Sequence, residues 1–112
     1  MANGDDILAA IKQTYDQLDD GFDELYAKCQ TGAQKQQLRS LFASARDAYF
    51  AAAAKALTDK NATVDALNKE LHDVNQQVKA QLDDLKDIVA LLNLCTEAVK
   101  LAASLATLAA AL

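Results

Sequence analysis

Apolar residues recur along the first thirty positions at Leu8, Ile11, Tyr15, Leu18, Phe22, Leu25 and Cys29. Intervals of three and four alternate without a miss, which is the period of one face of an α-helix. The pattern predicts a helix over about residues 5–30. Asn3 stands where a cap is expected, and Asp5 and Asp6 fall beside the positive end of the helix. Thr31-Gly32 ends the pattern, with Gly32 expected as a left-handed residue just past the helix. Gly21 interrupts the interior, at a helix cost of roughly 1 kcal/mol relative to Ala, and marks a kink or a close contact.

A second helix is predicted over 33–57, with its seam at Leu38, Phe42, Ala45, Tyr49, Ala52 and Ala56. The run Ala51-Ala52-Ala53-Ala54 gives it a small-sided stripe that lets another helix approach closely. Residues 59–63 read as a turn, with Asn61 or Thr63 able to cap the next helix. From there one seam runs through Val64, Leu67, Leu71, Val74, Val78, Gln81, Leu85, Ile88, Leu92, Cys95, Val99 and Ala102. Only Gln81 breaks the apolar set, and a heptad held this long implies coiled-coil-like packing.

The last segment creates a conflict of length. Helices of about 25 residues span roughly 38 Å, whereas a straight helix from residue 62 to the end would span roughly 75 Å. Its overhang, 88–112, is strongly apolar, with Glu97 and Lys100 as the only charges. Bare in water it would expose far more than a few hundred Å² of contiguous apolar surface. A turn near 82–88, capped by Asp83, Asp84 or Asp87, would fold it back into a four-helix bundle. A continuous helix would instead need burial against other copies. A membrane span is the remaining alternative, opposed by Glu97 and Lys100 near its middle. The expected fold class is therefore all-α: one domain over 1–112, an antiparallel bundle of three to four amphipathic helices (about 5–30, 33–57, 62–85 and 88–112). The alternative is a hairpin plus one long C-terminal helix buried by oligomerisation.

Composition supports the helical reading. The 112 residues include three Gly and no Pro, too few turn formers for a β-rich or loop-rich fold. Charge adds a tertiary expectation. The first helix carries Asp5, Asp6, Asp16, Asp19, Asp20, Asp23 and Glu24 against Lys12 and Lys28; the second carries Lys35, Arg39, Arg46 and Lys55 against Asp47. Opposite charge and a short connection predict an antiparallel hairpin. The overall net charge of −5 argues against a nucleic-acid partner and against anionic lipid. No secretory signal pattern opens the sequence, so a cytoplasmic location is expected.

Candidate chemistry is sparse. Around Gly21 the acids suggest a calcium loop, but the EF-hand register puts Leu18 and Ala27 at ligand positions, so the match fails. His72 is the only histidine and follows Glu70-Leu71, not the Glu-x-x-His spacing of di-iron bundles. Cys29 and Cys95 fall on apolar positions without CxxC spacing and read as buried thiols, which a folded-back fourth helix would bring towards one end. No cofactor and no catalytic or metal residues are expected.

The expectation that remains is a small non-catalytic module for protein interaction or oligomerisation, such as an immunity, antitoxin or secretion-accessory protein. Its partner would be another protein or a second copy. The expected working surface comprises Ile88, Leu92, Val99, Leu101, Leu105, Leu108 and Leu112 of the apolar C-terminal segment, together with Phe50. A lipid-surface or granule-associated helical protein is the alternative.

Overall fold

The computed structural model describes residues 4–57 and 62–110. Five helices follow one another: α1 (Gly4–Asp20), α2 (Phe22–Lys28), α3 (Gly32–Ala53), α4 (Ala62–Asp83) and α5 (Ile88–Leu108). The caps expected at Asn3 and Asn61, most of the turn at 59–63, and Leu112 lie outside the described residues. Thr63 lies inside the first turn of α4.

The α1–α2 break is the kink expected at Gly21. The Gly21 amide still donates to the Gln17 carbonyl and its carbonyl accepts from Leu25, so the two helices act as one bent rod. Gly32 departs from expectation. No glycine among the described residues has a positive φ. Gly32 opens α3, and Thr31 caps it, its hydroxyl accepting from the Gln34 amide at 3.1 Å. The Gln34 side chain reaches back to accept from the Gln30 amide. Thr31 therefore caps the start of the second predicted helix, where the sequence reading assigns Thr31-Gly32 only the role of ending the first.

The choice at the C-terminus falls to four rods. Asp87 caps α5, its Oδ1 accepting from the amides of Val89 (3.0 Å) and Ala90 (3.2 Å). Asp83 and Asp84 sit at the negative end of α4, where acidic side chains oppose the helix dipole. This local chemistry ends the helix without Gly or Pro, and the heptad phase simply resumes on the returning segment. The bundle is 43 Å long and 22 by 18 Å across, as rods of about 25 residues require.

α1 pairs with α3 and α4 with α5 as two antiparallel hairpins. The hairpins dock with α3 beside α5 and α1 beside α4, and in each of these pairs the chains run the same way. The register shows it: Gln37 of α3 meets Thr96 of α5, and Thr14 of α1 meets Asn75 of α4. α3 and α4 lie across a diagonal. Leu57, beyond the end of α3, lies close to the start of α1, since a Cβ on Gly4 would collide with the Leu57 carbonyl. Leu57 also bridges to Ala110.

The core is mainly aliphatic, with Thr14, Asn68 and Asn75 as the buried polar residues among those described. Ile7, Ile11, Leu18, Leu25, Leu38, Leu71, Leu91, Leu92 and Leu105 are its largest buried apolar side chains. α5 lies against α1, α3 and α4, which is why it carries apolar residues on most of its circumference. On α3 the buried stripe is Leu38, Leu41, Ala45, Ala48 and Ala52, and α5 also buries small residues at Ala98, Ala102 and Ala106.

Candidate interaction surface

Most of the C-terminal surface expected from the sequence is interior. Ile88, Leu92, Val99 and Leu105 are buried in the core, and Leu101 is half-buried against it. The cause is plain: the apolar residues of α5 pack against three neighbouring helices. Leu108 is exposed at 52 %, and Phe50 at 56 % is the most exposed large apolar residue described. Length and composition alone would let Ile88–Leu108 cross a membrane, but close to half of it is buried inside the bundle.

The face that is open lies elsewhere. All three Phe and all three Tyr of the chain are joined in a single network between α1–α2 and α3. Tyr26 stacks on Phe22, and Phe22 meets Phe42 edge-on at 5.4 Å between centroids. Phe42 then meets Tyr15 at 5.8 Å, which stacks on Tyr49 at 5.7 Å and reaches Phe50 at 6.2 Å. None of the six is buried: five are half-buried and Phe50 is exposed. Such ring pairs add about 0.5–1.5 kcal/mol each beyond area burial. The strip therefore helps hold the first hairpin together while each ring stays at least partly exposed.

Sequence periodicity concealed this face. Tyr15, Phe22, Phe42 and Tyr49 fit a helical seam, and so does the competing set Ile7, Ala10, Ile11, Thr14 and Leu18, one position away. The second set is the buried one. Bulky rings cannot sit where α5 approaches the alanines of α3, so they are displaced to the outer edge of the α1–α3 seam.

Cations of α3 lie along the strip. Lys35 Nζ is 5.2 Å and the Arg39 guanidinium 5.9 Å from the Tyr26 ring, while Arg46 lies 5.8 Å from the Phe42 ring. Arg39 also donates to the Tyr26 hydroxyl at 3.3 Å. On the opposite edge Asp19, Asp20 and Asp23 line a shallow pocket with Phe22 and Phe42. The opposite charges of the two helices were expected to pair within the hairpin. Among the described residues no ion pair joins α1 or α2 to α3. Lys12 is held by Asp16 within α1 and Arg46 lies nearest Asp47. The rings occupy the seam and keep an acidic row and a basic row apart.

The α1–α4 seam is polar by contrast. Asn75, fully buried, donates to the Ala10 carbonyl at 3.0 Å and accepts from the Thr14 hydroxyl at 3.0 Å. Gln17 donates to the Asn75 carbonyl. One helical turn or so towards the N-terminus of α1, Asp6 accepts from Asn68 at 2.8 Å and lies 3.3 Å from His72 Nε2. Near the kink this seam opens into a cleft of about 480 Å³, lined by Lys12, Asp16, Gln17, Asp20, Glu24 and Asp83 among others.

No group of three or more His, Cys, Asp or Glu is placed to hold a metal ion among the described residues. Cys29 and Cys95 are both free and buried. Burial pushes the Cys95 thiol up to about 12. Cys29 is also raised by burial, against an opposing pull from the nearby Lys35 charge.

No protein-family model matches the chain, and no curated protein or solved structure is significantly similar to it.

Proposed function

We propose that the chain is a small non-catalytic protein-interaction module whose working surface is the aromatic face of α1–α2 and α3. The observation that carries this reading is the displacement of every aromatic side chain from an aliphatic core onto one connected, solvent-facing strip. Tyr, Phe and Arg are the side chains that protein interfaces concentrate, because they contribute large rigid contact area with little entropy to lose. Here three cations already lie against the rings. The alternative, a lipid-surface or granule-associated helical protein, has less support, since turning the apolar helix faces to lipid would dismantle the contacts among the packed helices.

A photocrosslinking residue placed at Phe50 in the producing cell tests the reading. The exposed position Ala80, on α4, serves as the control. Protein adducts specific to position 50 are expected. Adduct formation no greater at position 50 than at position 80 would remove the aromatic face as the working surface.

A further inference from the structure

We infer that the partner of the aromatic face is a second copy of this chain, docked about a two-fold axis parallel to the bundle. The inference rests on the interaction reading above and names its occupant from the charge pattern. Along one edge of the strip run the carboxylates Asp19 and Asp23; along the other run Lys35, Arg39 and Arg46. These rows are complementary, and neither uses the other within the chain.

The two rows also lie at matching heights. Asp19 and Asp23 share a pocket with Phe42, and Phe42 sits between Arg39 and Arg46 on α3. A two-fold axis parallel to the strip preserves height and exchanges the edges. It brings the acidic row of each copy over the basic row of the other, with rings against rings between them. An axis across the strip would instead set acid on acid and base on base, which costs association. The arrangement is isologous, so each charge contact occurs twice.

Area is consistent with this. One side wall of a bundle 43 Å long and 18–22 Å wide offers about 800 Å², the amount each partner contributes to a standard interface. The strip occupies the middle of such a wall: Lys35 to Phe50 spans roughly 22 Å of helix. A rim of charge around a partly exposed aromatic centre matches the anatomy of a reversible interface.

Sedimentation equilibrium from low micromolar to submillimolar protein, at low and high salt, tests the proposal. Three variants accompany the native chain: D19K/D23K, R39E/R46E, and all four substitutions together. Far-UV circular dichroism establishes that each retains its helix content. The native chain is expected to form dimers that weaken in salt. Each single-row variant should lose self-association at least tenfold, while an equimolar mixture of the two should form heterodimers. The four-fold variant, with both rows exchanged, should recover dimerisation. A native chain that stays monomeric throughout, or variants that all associate as the native chain does, would overturn the second copy as partner. A monomeric native chain whose position-50 adducts contain a different protein sinks this inference but leaves the aromatic face as the working surface. Absence of any position-50 adduct sinks the surface itself.

Discussion

Asn75 on α4 and Thr14 on α1 face each other inside the bundle, the threonine hydroxyl donating to the Asn75 side-chain oxygen at 3.0 Å. The Asn75 amide in turn donates to the Ala10 carbonyl, which the same hydroxyl also reaches at 3.2 Å. The result is a closed polar triangle in a seam otherwise sealed by Ile7, Ile11, Leu71, Val74 and Val78.

The two side chains should prove energetically coupled. Asn75→Leu strands the Thr14 hydroxyl with only its own helix to bond, and the expected loss is about 1–3 kcal/mol. Thr14→Val/Asn75→Leu should lose less than the sum of the single variants, because no buried polar atom is then left facing an apolar one. Urea denaturation of the four proteins of this cycle measures the coupling. Strict additivity would mean that the two side chains are energetically independent.

Leu105 and Leu108 separate core from surface on one helix. Leu105 is fully buried and Leu108 is half-exposed. Leu105→Ala should cost about 2–5 kcal/mol through lost burial and the cavity left behind. Leu108→Ser should stay within about 0.5 kcal/mol. Midpoints of chemical unfolding read both. Comparable losses at the two positions would mean that Leu108 is covered in the native assembly.

Gly4 and Gly32 should respond to alanine in opposite directions. A Cβ on Gly4 collides with the backbone carbonyl of Leu57, which no rotamer change can relieve. Nothing lies within 4 Å of a Cβ on Gly32. Gly4→Ala should lower the thermal midpoint, and Gly32→Ala should hold or raise it by a few tenths of a kcal/mol in stability, since alanine loses less entropy in a helix. Calorimetry of the two variants decides the signs.

Cys95 sets an alkaline limit. Its thiol ionises near 9 when the chain is open and is pushed by burial to about 12 when folded. Between these values the unfolded chain releases a proton that the folded one keeps, so stability is full below pH 9 and falls as pH rises towards 12. The slope from this group is about 1 kcal/mol per pH unit. The Cys95→Ala variant should show a shallower decline over that window, whatever its absolute stability. In the native protein at neutral pH, a thiol reagent should modify Cys29 before Cys95. Faster modification of Cys95 would mean that α5 opens more readily than its packing implies.

The helical architecture was legible because apolar spacing, the scarcity of Gly and Pro, and the length of each segment all point the same way. The return of α5 was legible as a demand of length before its cap at Asp87 was seen. Register was harder. On α1 the sets containing Tyr15 and Thr14 are equally periodic, and hydropathy favours the wrong one because threonine scores as polar until Asn75 supplies its partner. On α3 the rings of Phe42 and Tyr49 carry more apolar area than Leu41 and Ala48, yet the packed interior takes the smaller pair. The same limit put most of the expected surface residues in the interior. Apolarity marks what is hidden when a segment has three neighbours, and Ile88, Leu92, Val99 and Leu105 are hidden. The expected charge pairing of the first two predicted helices identified the hairpin correctly, although aromatic contacts, not ion pairs, occupy its seam.

With no tryptophan in the chain and every tyrosine outside the core, the protein carries its optical labels on one wall alone. Near-ultraviolet dichroism and intrinsic emission therefore watch that wall and are blind to the aliphatic interior. Heating or titration would record the fraying of the first hairpin in these bands while the far-ultraviolet signal still reported intact helices. The same blindness is useful at equilibrium: anything that settles on the ring faces announces itself spectrally, without an added dye and with no contribution from the rest of the fold.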